Sequence, residues 1–333
     1  MTVSAVVRTG LGSRAIALAE REERSAAPGE VVLDVELCGL CGSDAHIWRG
    51  DDGYEWVRTG RILGHEVVGR IRALGADVSS DWSVGDRVVP IAQVGCGTCA
   101  ACRADYANGC DEKLTLGLSR DGGASARVNV RADSLVRVPG DLPALTAVLT
   151  EPASVAARAV ARARIGSGDR LVVSGPGAVG ILSALVARDA GAEVVLVGTE
   201  SDVATRGDLL RALGFEVATA VPVGFTPDVW IEAAGAEGAL RAAAQALPVA
   251  GRLVLVALYG TPPDPQLNVL VRKELDVITS YSSFRPDYER ALNTLLRHPE
   301  VGATLVRPYA LEDLERAFDA IGSGGDVKVA LRP

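Results

Sequence analysis

Histidine is almost absent from this chain: there are three in 333 residues, with a single methionine and only 4% aromatic side chains. Where those few histidines fall is therefore informative. Long apolar runs are missing too. Although 48% of residues are hydrophobic, no stretch of about eighteen uncharged apolar residues occurs, which excludes a membrane-spanning helix. The opening MTVSAVVRTGLGSR lacks the apolar core of a signal peptide, so a cytoplasmic protein is expected. Positive charge is in deficit, with 34 basic against 42 acidic residues and a net charge of −8, which argues against nucleic-acid and membrane-surface partners. Lysine is scarce beside abundant alanine, arginine and valine, a compositional bias without functional meaning. No internal repeat or low-complexity segment stands out, and the length favours two domains over one core.

Four of the six cysteines, Cys96, Cys99, Cys102 and Cys110, stand at C-x2-C-x2-C-x7-C within one short loop. Four thiolates converging from so few residues can close a tetrahedron around zinc, and Gly95, Gly97 and Gly109 let the backbone turn around it. Such a site is structural, because no coordination position stays open for a substrate. Cysteines at this spacing also suit a reducing compartment better than a disulfide framework.

A second, scattered set has a different character. Cys41 lies in Cys-Gly-Ser-Asp-Ala-His (41–46), His65 and Glu66 lie in Leu-Gly-His-Glu (63–66), and Glu151-Pro152 follows far downstream. Two of the three histidines fall in these segments. Thiolate, imidazole and carboxylate are the ligands of an open zinc site, where water or an alcohol takes the remaining position. Alone, a Gly-His-Glu is more often a satisfied turn.

A third motif runs Val172-Val173-Ser174-Gly175-Pro176-Gly177-Ala178-Val179-Gly180. The bare G-x-G-x-x-G pattern is weak, but here an apolar strand precedes it, a helical stretch follows, and a second strand, 193–197, lies beyond. Such a turn brings backbone amides and the positive end of a helix to a pyrophosphate.

Strand patterns at 31–37, 66–73 and 86–90, separated by Gly, Asp and Pro turns, predict a small, partly open β-barrel over the first 140 residues. Residues 145–164 read as an Ala-rich helical stretch. Strands at 170–174, 193–197, 216–220, 228–232, 251–257 and 276–279 then alternate with helical segments, the rhythm of a doubly wound parallel sheet. Helices at 286–296 and 311–321 and a strand at 327–331 return to the first domain. The expected division is 1–143 with 281–333, and 144–280.

In the order Cys-Gly-Ser-Asp, Gly-His-Glu, four-cysteine lobe, Glu-Pro and G-x-G-x-x-G, the chain resembles the zinc-dependent medium-chain dehydrogenase/reductase family over essentially its whole length. Glu151-Pro152 is similar to the polyol, sugar and threonine dehydrogenase branch. The resemblance implies an α/β fold in which a GroES-like catalytic domain joins a Rossmann domain. It also implies two zinc ions, one catalytic and one structural, a cytoplasmic homodimer or homotetramer, and hydride transfer between a small-molecule secondary alcohol and a nicotinamide. Cys41 and His65 become catalytic zinc ligands, while Cys38, on an alternating strand, reads as packing. Glu66 and Glu151 share the remaining duty, directly or through water.

The alcohol proton needs an exit, and Ser43 followed by His46 is the expected relay, with a turn and a surface histidine as the plainer alternatives. Asp44 either orients His65 or caps the turn. Trp48, Tyr54 and Trp56 are expected beside Ser43 and His46 in the substrate pocket, with Ala257–Gly260 and Ser280–Phe284 on the nicotinamide side; the two tryptophans could equally be core. Gly175, Gly177, Ala178, Val179 and Gly180 would hold the pyrophosphate. An NAD enzyme usually ends its second nucleotide-domain strand with an acid that binds the ribose hydroxyls. Gly198 stands there instead, leaving space for a 2′-phosphate bound by Thr199 and Arg206, so NADP is expected over NAD, with Glu200 and Asp202 counting against it. The competing class is a nucleotide-binding or redox-sensing protein that kept the fold without catalysis; an intact Cys41, His65 and Glu66 set weighs against it. A zinc-ribbon nucleic-acid module fails on the acidic charge.

Overall fold

The computed structural model describes residues 2–323 and 325–333. The chain divides into two compact units, Met1–Glu151 with Ser283–Pro333, and Pro152–Ser282. The boundaries fall at 151/152 and 282/283 rather than 143/144 and 280/281, so Glu151 stays with the unit that carries His65.

The first unit opens with a hairpin of β1 (Thr2–Arg8) and β2 (Ile16–Glu22), which the sequence reading did not anticipate. The long strand β3 (Glu30–Leu40) is followed by Cys41, the N-cap of helix α1 (Gly42–Arg49). Next come β4 (Glu66–Leu74), β5 (Arg87–Pro90), β6 (Arg127–Arg131) and β7 (Leu135–Arg137). Helix α2 (Thr150–Arg162) leads into the second unit. Alternation along β3 and β4 turns Val31, Leu33, Val67 and Ile71 into one apolar cluster, where all four are essentially inaccessible to water.

The second unit is built on β8 (Arg170–Ser174), α3 (Ala178–Asp189), β9 (Glu193–Val197), α4 (Glu200–Ala212), β10 (Val217–Ala218), β11 (Val229–Glu232), α5 (Glu237–Ala246), β12 (Arg252–Leu255) and β13 (Asp276–Thr279). Among the described residues its sheet runs β10-β9-β8-β11-β12-β13, every pair parallel. Strands β8 and β11 are continuous apolar runs because helices cover both faces of a parallel sheet. The order reverses at β8, the topological switch point where such sheets bind ligands, and the glycine turn leaves that strand.

That turn is tightly constrained. Gly175 adopts φ +87°, and a Cβ there would meet the Ala234 backbone at 2.7 Å. At Gly180 a Cβ would lie 2.0 Å from the Gly175 carbonyl oxygen, so α3 can pack on β8 only with glycine in its first turn. Gly177, the N-cap of α3, faces open space.

The chain then returns to the first unit through α6 (Arg285–Arg297), β14 (Val306–Ala310), α7 (Leu314–Ser323) and β15 (Lys328–Arg332). Strand β15 pairs antiparallel with β3, completing the order β14-β15-β3-β4-β5-β7, with β6 also on β3. The central strand β3 therefore lies between β4 and the last strand of the chain. Gly180→Ala should lower stability by about 1–3 kcal/mol through overpacking. Gly177→Ala, entering open space, should stay within about 0.5 kcal/mol of the parent; denaturant midpoints of the two variants compare them.

Candidate active site

Cys41 caps α1, and the side chain of Asp44, three residues on, reaches back to accept the Cys41 amide at 2.9 Å. The buried Asp44 is thus spent on the turn, and its other oxygen, Oδ1, makes no hydrogen bond. The Cys41 sulfur, a His65 ring nitrogen and a Glu66 carboxylate oxygen lie within 4.8 Å of one another. His65 and Glu66 are 6% and 1% exposed. Burial works to lower the His65 pKa, but the Cys41 sulfur and the Asp44 and Glu151 carboxylates outweigh it and hold the imidazole well above its usual range. Half-buried Glu151, at the start of α2, stands outside the three-donor set. Burial, opposed by His65 and reinforced by Glu66, pushes its carboxyl up to about 7.

Glu66 has a partner that the sequence reading missed. Lys328 Nζ donates to both of its carboxylate oxygens, at 2.6 and 2.8 Å, and to the Leu40 carbonyl at 3.1 Å. The strands explain how. Glu66 opens β4 opposite Gly39 of β3, and Lys328 opens β15 on the other side of β3. A Cβ at residue 39 would lie 2.1 Å from Glu66 Oε2, so the glycine leaves a corridor through which the carboxylate crosses the central strand. Lys328 is one of only three lysines in the chain, set at the head of the apolar run Val329-Ala330-Leu331, which is the signal that could have found it.

The donor chemistry fits a zinc ion. Thiolate, imidazole and carboxylate converge, the last two buried, and two buried polar atoms of the same chain segments, Ser43 Oγ and His65 Nδ1, have no hydrogen-bond partner. The second cluster fits as well. The four sulfurs of Cys96, Cys99, Cys102 and Cys110 lie within 4.8 Å of one another. Amides donate to sulfur from Cys96 to Cys110, Cys99 to Cys96 and Cys102 to Cys99, each at 3.4 Å. The Thr98 hydroxyl and amide hold Cys96 down to about 6. For Cys102 the pull of the Gly97 amide is outweighed by burial and the neighbouring sulfurs, which push it up to about 11. Without a cation the four cannot all ionise.

On α1, His46 stacks on Tyr54 (centroids 5.4 Å apart, planes at 11°), and its Nδ1 lies 2.7 Å from Asp51 Oδ2. Its side chain is 40% exposed. Trp48, expected in the pocket, belongs to the core: it is 5% exposed and packs against Phe318 at 5.2 Å, because it lies on the buried face of α1. Trp56 is exposed and donates to the Gly53 carbonyl.

In the second unit the space expected beside Gly198 is filled. A Cβ there would lie 2.9 Å from the Pro176 ring and 2.9 Å from Asp202 Cβ. Thr199 caps α4, donating through its amide (2.9 Å) and hydroxyl (2.7 Å) to Asp202 Oδ2. Arg206 lies 3.2 Å from Asp202 Oδ1 and donates to the Pro176 carbonyl at 2.8 Å. At the end of β11, the buried Glu232 accepts the Ala234 and Gly235 amides and the Tyr259 hydroxyl.

Because an unpaired buried charge is far costlier than a paired one, Lys328→Met should destabilise the metal-free protein by about 3–5 kcal/mol. Lys328→Arg should recover part of that loss; chemical denaturation after chelator treatment measures both.

Comparison with known proteins agrees with this architecture. Residues 27–140 match the alcohol dehydrogenase GroES-like domain. Over 99% of both chains the sequence is 32% identical to a sorbitol dehydrogenase of Halalkalibacterium halodurans. A zinc-binding dehydrogenase of Sinorhizobium meliloti, solved with NADP, superposes with a TM-score of 0.90 at 25% identity over the whole of both chains. The 2R,3R-butanediol dehydrogenase of Bacillus subtilis does so with a TM-score of 0.87 at 27% identity over 99% of each. With its thiolate–imidazole–carboxylate set, its four-cysteine lobe and its parallel nucleotide-type sheet, the chain belongs to the zinc-dependent medium-chain dehydrogenase/reductase family, the NAD(P)-dependent oxidoreductases of CH–OH groups.

Proposed function

We propose that this chain transfers hydride between a secondary alcohol of the polyol, sugar or amino-alcohol kind and a nicotinamide nucleotide. The observation that carries the reading is the convergence of Cys41, His65 and Glu66, with the buried, unpartnered Ser43 hydroxyl two residues after Cys41. Cys41 and His65 would hold the catalytic zinc with carboxylate from Glu66 and Glu151, and Cys96, Cys99, Cys102 and Cys110 the structural one. When bound, the catalytic zinc supplies Lewis acidity that lowers the pKa of the alcohol, and the nucleotide accepts hydride. Ser43 offers its buried hydroxyl to the alcohol proton. His46, one turn along α1, passes that proton to solvent, its ring fixed by Asp51 and Tyr54. Lys328 holds Glu66 so that its carboxylate is shared between an ammonium and the ligand set.

Gly175, Gly177, Ala178, Val179 and Gly180 would receive the pyrophosphate, with open space in front of Gly177. The expectation of NADP rests on Gly198, Thr199 and Arg206, and the Sinorhizobium relative was solved with NADP. In this chain Thr199 and Arg206 are engaged by Asp202, so both nucleotides belong in the assay.

A homodimer or homotetramer is supported by the sheet edge at β13, which pairs only with β12 among the described residues. Apolar side chains on the same unit, Leu267, Val271, Val277 and Tyr281, are 43–73% exposed. Zinc-spaced thiols suit the cytoplasm. A small-molecule alcohol remains the expected partner; relatives include a sorbitol dehydrogenase and an L-threonine 3-dehydrogenase of Anaeromyxobacter.

Oxidation of a panel of polyols and amino alcohols with NAD and with NADP, with and without chelator, tests the reading; chelator-insensitive turnover would overturn it. Purified protein should carry two zinc ions per chain. Cys41→Ser should lower kcat/KM far more than tenfold, which is only about 1.4 kcal/mol, while leaving the fold intact. Cys99→Ser should lose the structural ion and with it folding stability, read from metal content and the thermal midpoint.

A further inference from the structure

We propose that Asp202 is a specificity-determining residue that selects the unphosphorylated adenosine ribose, so that NAD is bound in preference to NADP. The inference rests on the hydride-transfer reading above and concerns its nucleotide.

The acid that usually ends the second strand of a nucleotide sheet and accepts the ribose hydroxyls is missing here, since that position is Gly198. Four residues on, in the first turn of α4, a carboxylate has taken up the neighbouring place. Because Gly198 has no Cβ, the Asp202 side chain can approach the strand end, where its Cβ stands 2.9 Å from the position a Cβ at residue 198 would need. The missing side chain of the strand is thus what admits the acid from the helix.

The donors around Asp202 are those a 2′-phosphate would require: a helix N-terminal amide, a hydroxyl and a guanidinium. Thr199 supplies the first two, at 2.9 and 2.7 Å, and Arg206 the third, at 3.2 Å. Arg206 is anchored as well to the Pro176 carbonyl inside the glycine turn, so it is held at this spot. The carboxylate therefore serves as an internal anion in the place of the phosphate. An incoming 2′-phosphate would have to displace Asp202 from three donors and then lie against its charge and that of the exposed Glu200. A ribose diol makes no such demand. Its hydroxyls are donors, and the Asp202 carboxylate, whose side chain is 24% exposed, keeps acceptor capacity on Oδ1.

The test is titration of the zinc-loaded enzyme with NADH and NADPH without substrate, followed by calorimetry, for the wild type and for Asp202→Asn. Asparagine keeps an acceptor for the helix cap and removes only the charge. The wild type should bind NADH at least about tenfold more tightly than NADPH, and Asp202→Asn should reduce that ratio by at least about tenfold, with NADPH gaining affinity. Wild type that binds NADPH as tightly as NADH, or more tightly, would overturn the proposal whether or not the variant folds. A variant that weakens both nucleotides in equal proportion would overturn it too, leaving Asp202 as a helix cap only. Binding of neither nucleotide by the wild type would instead refute the hydride-transfer reading, and this proposal with it.

Discussion

A lysine ammonium and a glutamate carboxylate, both almost wholly out of water, meet across the central strand of the first unit, and the placing of Glu66 beside Cys41 and His65 depends on that meeting. Neither charge could be buried alone, because the desolvation cost of an unpaired ion is several kcal/mol. Pairing them fixes three strands in register. Lys328 at the start of the last strand, Gly39 near the end of β3 and Glu66 at the start of β4 must line up to within a fraction of a side chain. The partners are 262 residues apart in sequence, so the pair also ties the end of the chain to the segment that carries His65.

The two clusters of candidate metal ligands follow a common electrostatic logic but differ in how the chain reaches them. The cysteine lobe is assembled locally: its sulfurs come from fifteen consecutive residues, and amide donors along the loop prepare them for a dication. The other set draws on three segments far apart in sequence, each delivered by the end of a regular element. Cys41 comes from the junction of β3 and α1, His65 and Glu66 from the start of β4, and Glu151 from the start of α2. Excess acid in that place is visible in the raised carboxyl of Glu151, which burial and Glu66 favour in its neutral form. A bound dication would reverse that balance, since opposite charge favours the ionised carboxylate.

In the second unit, close packing and polarity meet at one turn. Gly175 and Gly180 are forced by backbone contacts, whereas Gly177 is not, and the space in front of Gly177 is what a ligand approaching the helix end requires. Beside it the first turn of α4 closes on itself. Thr199 and Asp202 satisfy each other, and Arg206 joins that pair to Pro176 of the glycine turn. A helix cap, ordinarily a matter of stability, is thereby tied to the glycine turn.

Much was legible in the sequence because it depends on local spacing: the four-cysteine lobe, the strand–glycine turn–helix unit, the alternation of strands and helices after residue 169, and the segments that bring the Cys41 sulfur and the His65 ring together. Such features are governed by backbone geometry over a few residues, and chain order carries it. The rest depended on neighbours that no local pattern names. Trp48 became core because α1 turns that face onto Phe318, and Asp44 became a cap because its carboxylate reaches back to the Cys41 amide. The room inferred at Gly198 vanished because Pro176 and Asp202 lean into it. Lys328 acquired its role only when the last strand paired with β3. The sequence alone determined which chemical groups this protein can bring to a site; only the tertiary structure decided which of them meet, because burial and strand register set the distances over which charges and hydrogen bonds act.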